Sequence, residues 1–202
     1  MEFIPYGRQT INKDDIKSVL ETLNSDFLTQ GPKVNKFEEE INKYIGCKHS
    51  VAVNSATSAL HIACMALGLK EGEYLWTSPI TFVASANCAR YCNANVDFVD
   101  IDIDTGLMSV EKLEEKLAKA KKNNCLPKIL VPVHLTGTSC DMEKIFKLSE
   151  IYNFKIIEDA SHCIGAEYKN QKVGNCTFSA ITVFSFHPVK IITTGEGGIA
   201  TT

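Results

Sequence analysis

Apolar and polar positions recur along this chain in two periods, and the period changes near residue 50. Before it, Ile16, Val19, Leu20 and Leu23 follow one another at i, i+3, i+4 and i+7, which predicts an amphipathic helix with Asn12 as its cap. A polar turn, SDFLTQGP, ends in Gly31 and Pro32. A second helix is predicted from about Asn35, with Phe37, Ile41, Tyr44 and Ile45 on one face and Gly46 at its C′ position. After Gly46, short apolar runs alternate with helical patterns. The runs Ser50–Val53, Tyr74–Trp76, Val96–Asp100, Lys128–Val133 and Lys155–Glu158 read as strands, with two more near Ala180–Phe184 and Gly198–Thr201. Between them, Thr57–Leu69, Phe82–Tyr91, Val110–Lys121 and Met142–Tyr152 read as helices. Such alternation predicts an α/β fold, a three-layer sandwich with a mostly parallel sheet and helices on both faces. No repeat, low-complexity tract or linker divides it, so one domain is expected.

Composition narrows the classes. The 202 residues are 45% hydrophobic and 22% charged, enough for one domain with a substantial core. The net charge is -3, and the Lys and Arg residues are scattered rather than clustered, which argues against a nucleic-acid partner. No apolar run approaches the roughly 18 residues of a membrane helix. The stretch MEFIPYGRQTINKDD lacks the basic and apolar regions of a signal peptide, so a cytoplasmic protein is expected, with its 8 cysteines reduced. No cysteines form a C-x-x-C pair. Cys88 and Cys92 lie four apart in a predicted helix without a second Cys/His pair to complete a metal site, so they are expected as small apolar residues.

In open α/β sheets, ligands bind beyond the carboxyl ends of the strands. Four stretches in such places could carry chemistry. The first is NSATSALH, where Ser55, Ala56 and Thr57 stand at a strand-to-helix turn. Free N–H groups there suit a phosphate, although Ser55 or Thr57 would equally serve as a simple helix cap. There is no G-x-G-x-x-G and no G-K-[ST], so dinucleotide and Walker sites are not supported. The second is TSPITF, whose Phe82 could stack on a flat heterocycle or sit in the core. The third is EDASH. Asp159 at a strand end could keep a pyridine nitrogen protonated, or act as a cap or surface ion pair. The fourth is FSFHPVK followed by GEGG. A lysine in an apolar, glycine-flanked stretch, Lys190, would have its pKa lowered by desolvation, as an imine-forming amine requires. Alternatively it snorkels to solvent. The chain between Asp159 and Lys190 leaves room for one strand between the two that carry them. A phosphate cradle, a stacking ring, a carboxylate and an amine in this order suit an enzyme that uses pyridoxal 5′-phosphate (PLP).

With those residues on the page, the chain resembles the DegT/DnrJ/EryC1/StrS family of sugar-nucleotide aminotransferases. The resemblance lies in LTQGPKVNKFEEEINKYIGCKHSVAVNSATSALH, TSPITFVASAN, EDASHCIGAEY and FSFHPVKIITTGEGG. It implies the PLP-dependent transferase fold of the aspartate aminotransferase type. NSATSALH, DASH and SFHPVK look most like the branch that acts in pseudaminic acid biosynthesis. By this resemblance Lys190 is the lysine that forms the imine with PLP, and Asp159 is the partner of the ring nitrogen. Ser185, Ala56 and Thr57 match phosphate contacts, and Ala56 and Ser185 also border the substrate. Phe82 matches the ring stacker and His162 a neighbour of the cofactor's 3′-oxygen. Tyr6, Asp26, Phe27, Leu28 and Thr29 match the N-terminal segment, residues 1–33, that lines a sugar-nucleotide site. The implied substrates are L-glutamate and a UDP-linked 4-keto-6-deoxy sugar, and the implied assembly is a homodimer. Family members run to nearly twice this length, so residues 1–202 are expected to be the PLP-binding large domain without the small C-terminal domain. Three other readings stay open. One is a family member that acts on another nucleotide-linked keto sugar. Another is a sugar dehydratase of the same family, although those enzymes carry His where this chain has Lys190. The third is a truncated, non-catalytic PLP-binding fragment.

Overall fold

The computed structural model describes residues 4–5 and 7–202, so Tyr6 lies outside the described residues. Among the described residues, six α-helices and nine strands follow in the order α1 Lys13–Leu23, α2 Pro32–Ile45, β1 Ser50–Val53, α3 Ala56–Ala66, β2 Tyr74–Thr77, α4 Ala84–Tyr91, β3 Asn95–Phe98, α5 Val110–Lys122, β4 Ile129–Val131, α6 Met142–Tyr152, β5 Lys155–Asp159, β6 Glu167–Tyr168, β7 Gln171–Lys172, β8 Ile181–Ser185 and β9 Gly198–Thr201. A seven-stranded sheet has the order β1-β9-β8-β5-β4-β2-β3. Neighbours from β8 through β3 pair in parallel, whereas β9 pairs antiparallel with both β1 and β8. The sheet is therefore mostly parallel with one reversed strand. The small β6–β7 hairpin stands apart from it and was not signalled by the hydrophobic pattern.

The central strands β2, β4, β5 and β8 are buried almost throughout because helices cover both faces of the sheet. Successive residues point to opposite sides. Leu75, Ile129, Val131, Ile157 and Val183 enter one core with α3 and α4. Trp76, Leu130 and Ile156 enter the other, with α5 and α6. Helix α2 covers the β8–β9 end through Ile41 and Ile45, which meet Phe184, Phe186 and Ile199. The expected metal-silent Cys88 is buried in the α3–α4 core, with Cys92 packed against it. All eight cysteines are free.

Several boundaries shift for local reasons. Helix α2 starts at Pro32 rather than Asn35, because proline is well placed in a first turn where no N–H is needed. Helix α3 ends at Ala66 rather than Leu69, since Gly68 takes φ +73° and closes the turn. Helix α4 starts at Ala84, which leaves Phe82 in the preceding turn rather than in the helix. Lys190 lies in a turn beyond β8 and not on a strand, while β8 lies directly beside β5, with Asp159 opposite Val183.

Candidate active site

Strand alternation aims the chemistry. Ile157 faces α3 and α4, so Asp159, two residues on, faces the same side, and so does Ser185 two residues after Val183. Glu158 and Thr182 point to the opposite face. The N-terminus of α3 arrives over the Asp159 side, where Ser55 caps the helix by accepting from the Ser58 N–H. This leaves the Ala56 and Thr57 N–H groups in the first turn directed outward. The approach is close: a Cβ on Gly198 would stand 2.4 Å from the Ala56 nitrogen and the Ser55 carbonyl carbon. Only glycine lets β9 pass beneath the helix start.

A cleft of about 300 Å³ opens at this end of the sheet. Ala56, Thr57, Phe82, Asp159, His162, Ser185 and Lys190 all line it. Seven of the twelve residues singled out from the sequence thus converge on one cavity. Phe82 is 74% exposed, which decides between ring stacker and core residue in favour of an available aromatic face. Asp26, Phe27, Leu28 and Thr29 do not join them. They are exposed in the turn between α1 and α2, away from the cleft lining of this chain.

The electrostatics suit an amine beside an anion. Burial pulls the Lys190 ammonium below its ordinary pKa, and the Asp159 carboxylate only partly opposes this. Burial also lowers His162, helped by the positive charge of Lys190 and opposed by Asp159. The His162 Nδ1 accepts from the Thr136 N–H at 3.3 Å, so the neutral ring carries its proton on Nε2. Asp159 is held from both sides. Ser161 donates to Oδ1 from its N–H at 3.1 Å and its Oγ at 2.6 Å, and Ser85 Oγ donates to Oδ2 at 2.6 Å.

Two residues of the site were missed in the sequence. His134 follows β4 and lines the cleft, yet it is fully buried, with Nε2 at 2.7 Å from Glu158 Oε2. The Cys140 N–H donates to its Nδ1, so the ring is neutral and donates to Glu158 through Nε2. Burial would raise the Glu158 carboxyl, but His134, Ser179 and Thr182 as donors hold it below its ordinary value. The His134 main-chain N–H donates to the Asp159 carbonyl oxygen at 3.0 Å, which ties the ends of β4 and β5 together. A polar residue just after a strand was the available signal for His134. Ser85 had none, because it lies in the first turn of a helix rather than after a strand.

Comparisons with known proteins agree with this geometry. The sequence pattern of the DegT/DnrJ/EryC1/StrS aminotransferase family matches residues 9–202. The UDP-4-amino-4,6-dideoxy-N-acetyl-β-L-altrosamine transaminase of Campylobacter jejuni is 45% identical over 195 residues, covering 96% of this chain and 50% of that protein. Among solved structures, Helicobacter pylori PseC, an aminotransferase involved in the biosynthesis of pseudoaminic acid, superposes with TM-score 0.89 at 37% identity, covering 98% of this chain and 52% of that one. The PLP form of the putative sugar aminotransferase Spr1654 from Streptococcus pneumoniae superposes with TM-score 0.88 at 31% identity, covering 98% and 52% respectively. The chain spans about half the length of the curated relatives it matches.

Proposed function

The chain belongs to the DegT/DnrJ/EryC1/StrS aminotransferase family, and on that premise we propose that it is the cofactor-binding large domain of a PLP-dependent sugar aminotransferase. The observation that carries the proposal is the convergence of Asp159, the last residue of β5, and Lys190, in the turn after β8, in one cleft beneath the N-terminus of α3.

The residues present fit PLP. An anion-binding helix start, an exposed aromatic face, an oriented carboxylate and an amine of lowered pKa are the groups its phosphate, ring, ring nitrogen and aldehyde need. Ala56 and Thr57 N–H groups with the Ser185 hydroxyl would hold the phosphate. Phe82 would cover one ring face. Asp159 would keep a proton on the ring nitrogen. His162, neutral and with its Nε2 proton free, would donate to the ring's 3′-oxygen. Lys190 would hold the aldehyde carbon. When bound, PLP supplies an electron sink for the pair left by a broken C–H bond. Lys190 Nζ, unprotonated more readily than an exposed lysine, would take the proton from the Cα of the amino donor and deliver it to the former aldehyde carbon, and would move it the opposite way in the second half-reaction.

For the complete protein we propose L-glutamate as donor and C4 of a UDP-linked 4-keto-6-deoxy-N-acetylhexosamine as acceptor, the chemistry of pseudaminic acid biosynthesis. The 45% identity to the Campylobacter transaminase supports this choice of sugar. Tyr6 and Asp26–Thr29 are proposed to line the sugar-nucleotide site in a homodimer, in their own subunit or the partner's. A cytoplasmic location fits these substrates, and no helix among the described residues is long and apolar enough to cross a membrane.

The full-length protein with Lys190→Ala tests the assignment. It should lose both half-reactions and the visible absorbance of covalently held PLP. Substantial turnover without added amine would overturn it. Assay with UDP-4-keto-6-deoxy-L-AltNAc against its D-sugar 4-keto isomers tests the substrate. A clear preference for a D-sugar would overturn the sugar and leave the aminotransferase standing.

A further inference from the structure

Resting on the PLP reading above, we infer that Ser85 is a positioning residue for Asp159, with Thr81 as the donor behind it. Ser85 sits in the first turn of α4 and is wholly buried. Its Oγ lies 2.6 Å from Asp159 Oδ2, 2.8 Å from Thr81 Oγ1 and 3.3 Å from the Phe82 carbonyl oxygen. A serine hydroxyl has one proton for these three neighbours. The shortest contact, to a carboxylate, takes it, since charge-assisted bonds are the strongest of their kind. Thr81 must then donate to Ser85. The result is a one-way chain from the Thr81 hydroxyl through Ser85 to the Asp159 carboxylate.

This chain settles what Asp159 can offer. Both acceptor positions of Oδ1 are filled by Ser161, and Ser85 fills one of the two on Oδ2. One acceptor position remains, on an oxygen whose rotation is locked from both sides. The terminal carboxylate torsion is otherwise broad, so without Ser85 the plane would swing and Oδ2 would leave its line to a ring N–H. The same hydroxyl touches the backbone of Phe82, and the Ser85 N–H donates to the Phe82 carbonyl at 3.2 Å. The carboxylate and the stacking ring are therefore set relative to each other by one residue of α4.

The test uses the protein loaded with PLP labelled with ¹⁵N in the ring. Ser85→Ala is expected to move the ring-nitrogen resonance toward the unprotonated position. It should lower kcat about tenfold, the effect of losing one bond to a charged group, while KM for the amino donor stays within roughly twofold. Thr81→Val, which leaves Ser85 in place without its donor, should move the same two quantities in the same direction by less, with thermal unfolding close to wild type. A residue that only anchored α4 would lower the unfolding temperature and leave the resonance alone. Unchanged resonance and kcat in Thr81→Val, or in a folded Ser85→Ala, overturn the inference. Wild-type protein that takes up no PLP overturns the cofactor reading itself, and this inference with it.

Discussion

Helix α1 and the β5–β8 end of the sheet both read clearly in the sequence, yet they use their groups very differently. Helix α1 has a complete capping box: Asn12 Oδ1 accepts from the N–H groups of Asp14 and Asp15, and Asp15 Oδ2 accepts from the Asn12 N–H. Its apolar stripe is regular, but Ile16, Val19, Leu20 and Leu23 are all more than half exposed, and the helix buries none of its residues. At the β5–β8 end almost nothing is idle. Glu158 and Asp159 point to opposite faces, and each has three donors. Helix periodicity reports a face that could be buried. It does not report whether a partner element of the same chain is there to bury it.

Substitutions can sharpen or break that contrast. The largest effect is expected from His134→Ala, which leaves the buried Glu158 carboxylate with one donor fewer and should cost about 2–3 kcal/mol in equilibrium denaturation. A loss under about 1 kcal/mol would mean the pair is not a working part of this end. Next is Gly198→Ala, whose Cβ would press on the Ser55–Ala56 backbone at 2.4 Å. Overpacking of that kind costs roughly 1–3 kcal/mol. Because it displaces the start of α3, PLP affinity should fall as well. Unaltered affinity would place the phosphate elsewhere.

A smaller effect concerns pH. Burial lowers Lys190 below 10.5 in the folded protein. Between its folded value and 10.5 the unfolded chain binds more protons, so the stability of the protein without PLP rises with pH across that window. The cost of a charged Lys190 is fully present below the folded value and gone above 10.5. Lys190→Met should flatten this slope in denaturation series at several pH values, and an unchanged slope would count against a desolvated amine. Least affected should be Leu20→Ser on α1, within about 0.5 kcal/mol of wild type in residues 1–202. A loss above about 1.5 kcal/mol would show that α1 is docked after all, and the contrast would fail.

Much of the site was legible because of one rule: polar residues just past parallel strands face the crevice. That rule located the strand-end stretches that hold Thr57, Asp159 and Ser185, the family resemblance singled out Ala56 and Ser185 within them, and the rule would have located His134 after β4. It could not locate Ser85, whose partner Asp159 lies far along the chain and meets it only when α4 packs on the face of the sheet that Asp159 shares. Lys190 was recognised as an unusual lysine from its apolar, glycine-flanked surroundings, but its place in a turn rather than on a strand depended on where β8 ends. Phe82 could not be assigned to core or cleft until Ala84 proved to be the first residue of α4.

By itself, the sequence determined most of the elements, their order and the mostly parallel sheet, and it singled out Lys190 and Asp159 as the candidate amine and carboxylate. These follow from local periodicity, turn chemistry and residue type, which act over a few residues. Only the tertiary structure decided that β9 runs against its neighbours, that β5 and β8 are adjacent, and which oxygen of Asp159 keeps an open acceptor position. It also decided that α2 finds Phe184, Phe186 and Ile199 while α1, with the same kind of stripe, has no buried residue among the described residues. Strand neighbours, donor counts and burial depend on segments distant in the chain arriving together, and a local pattern carries no record of what arrives.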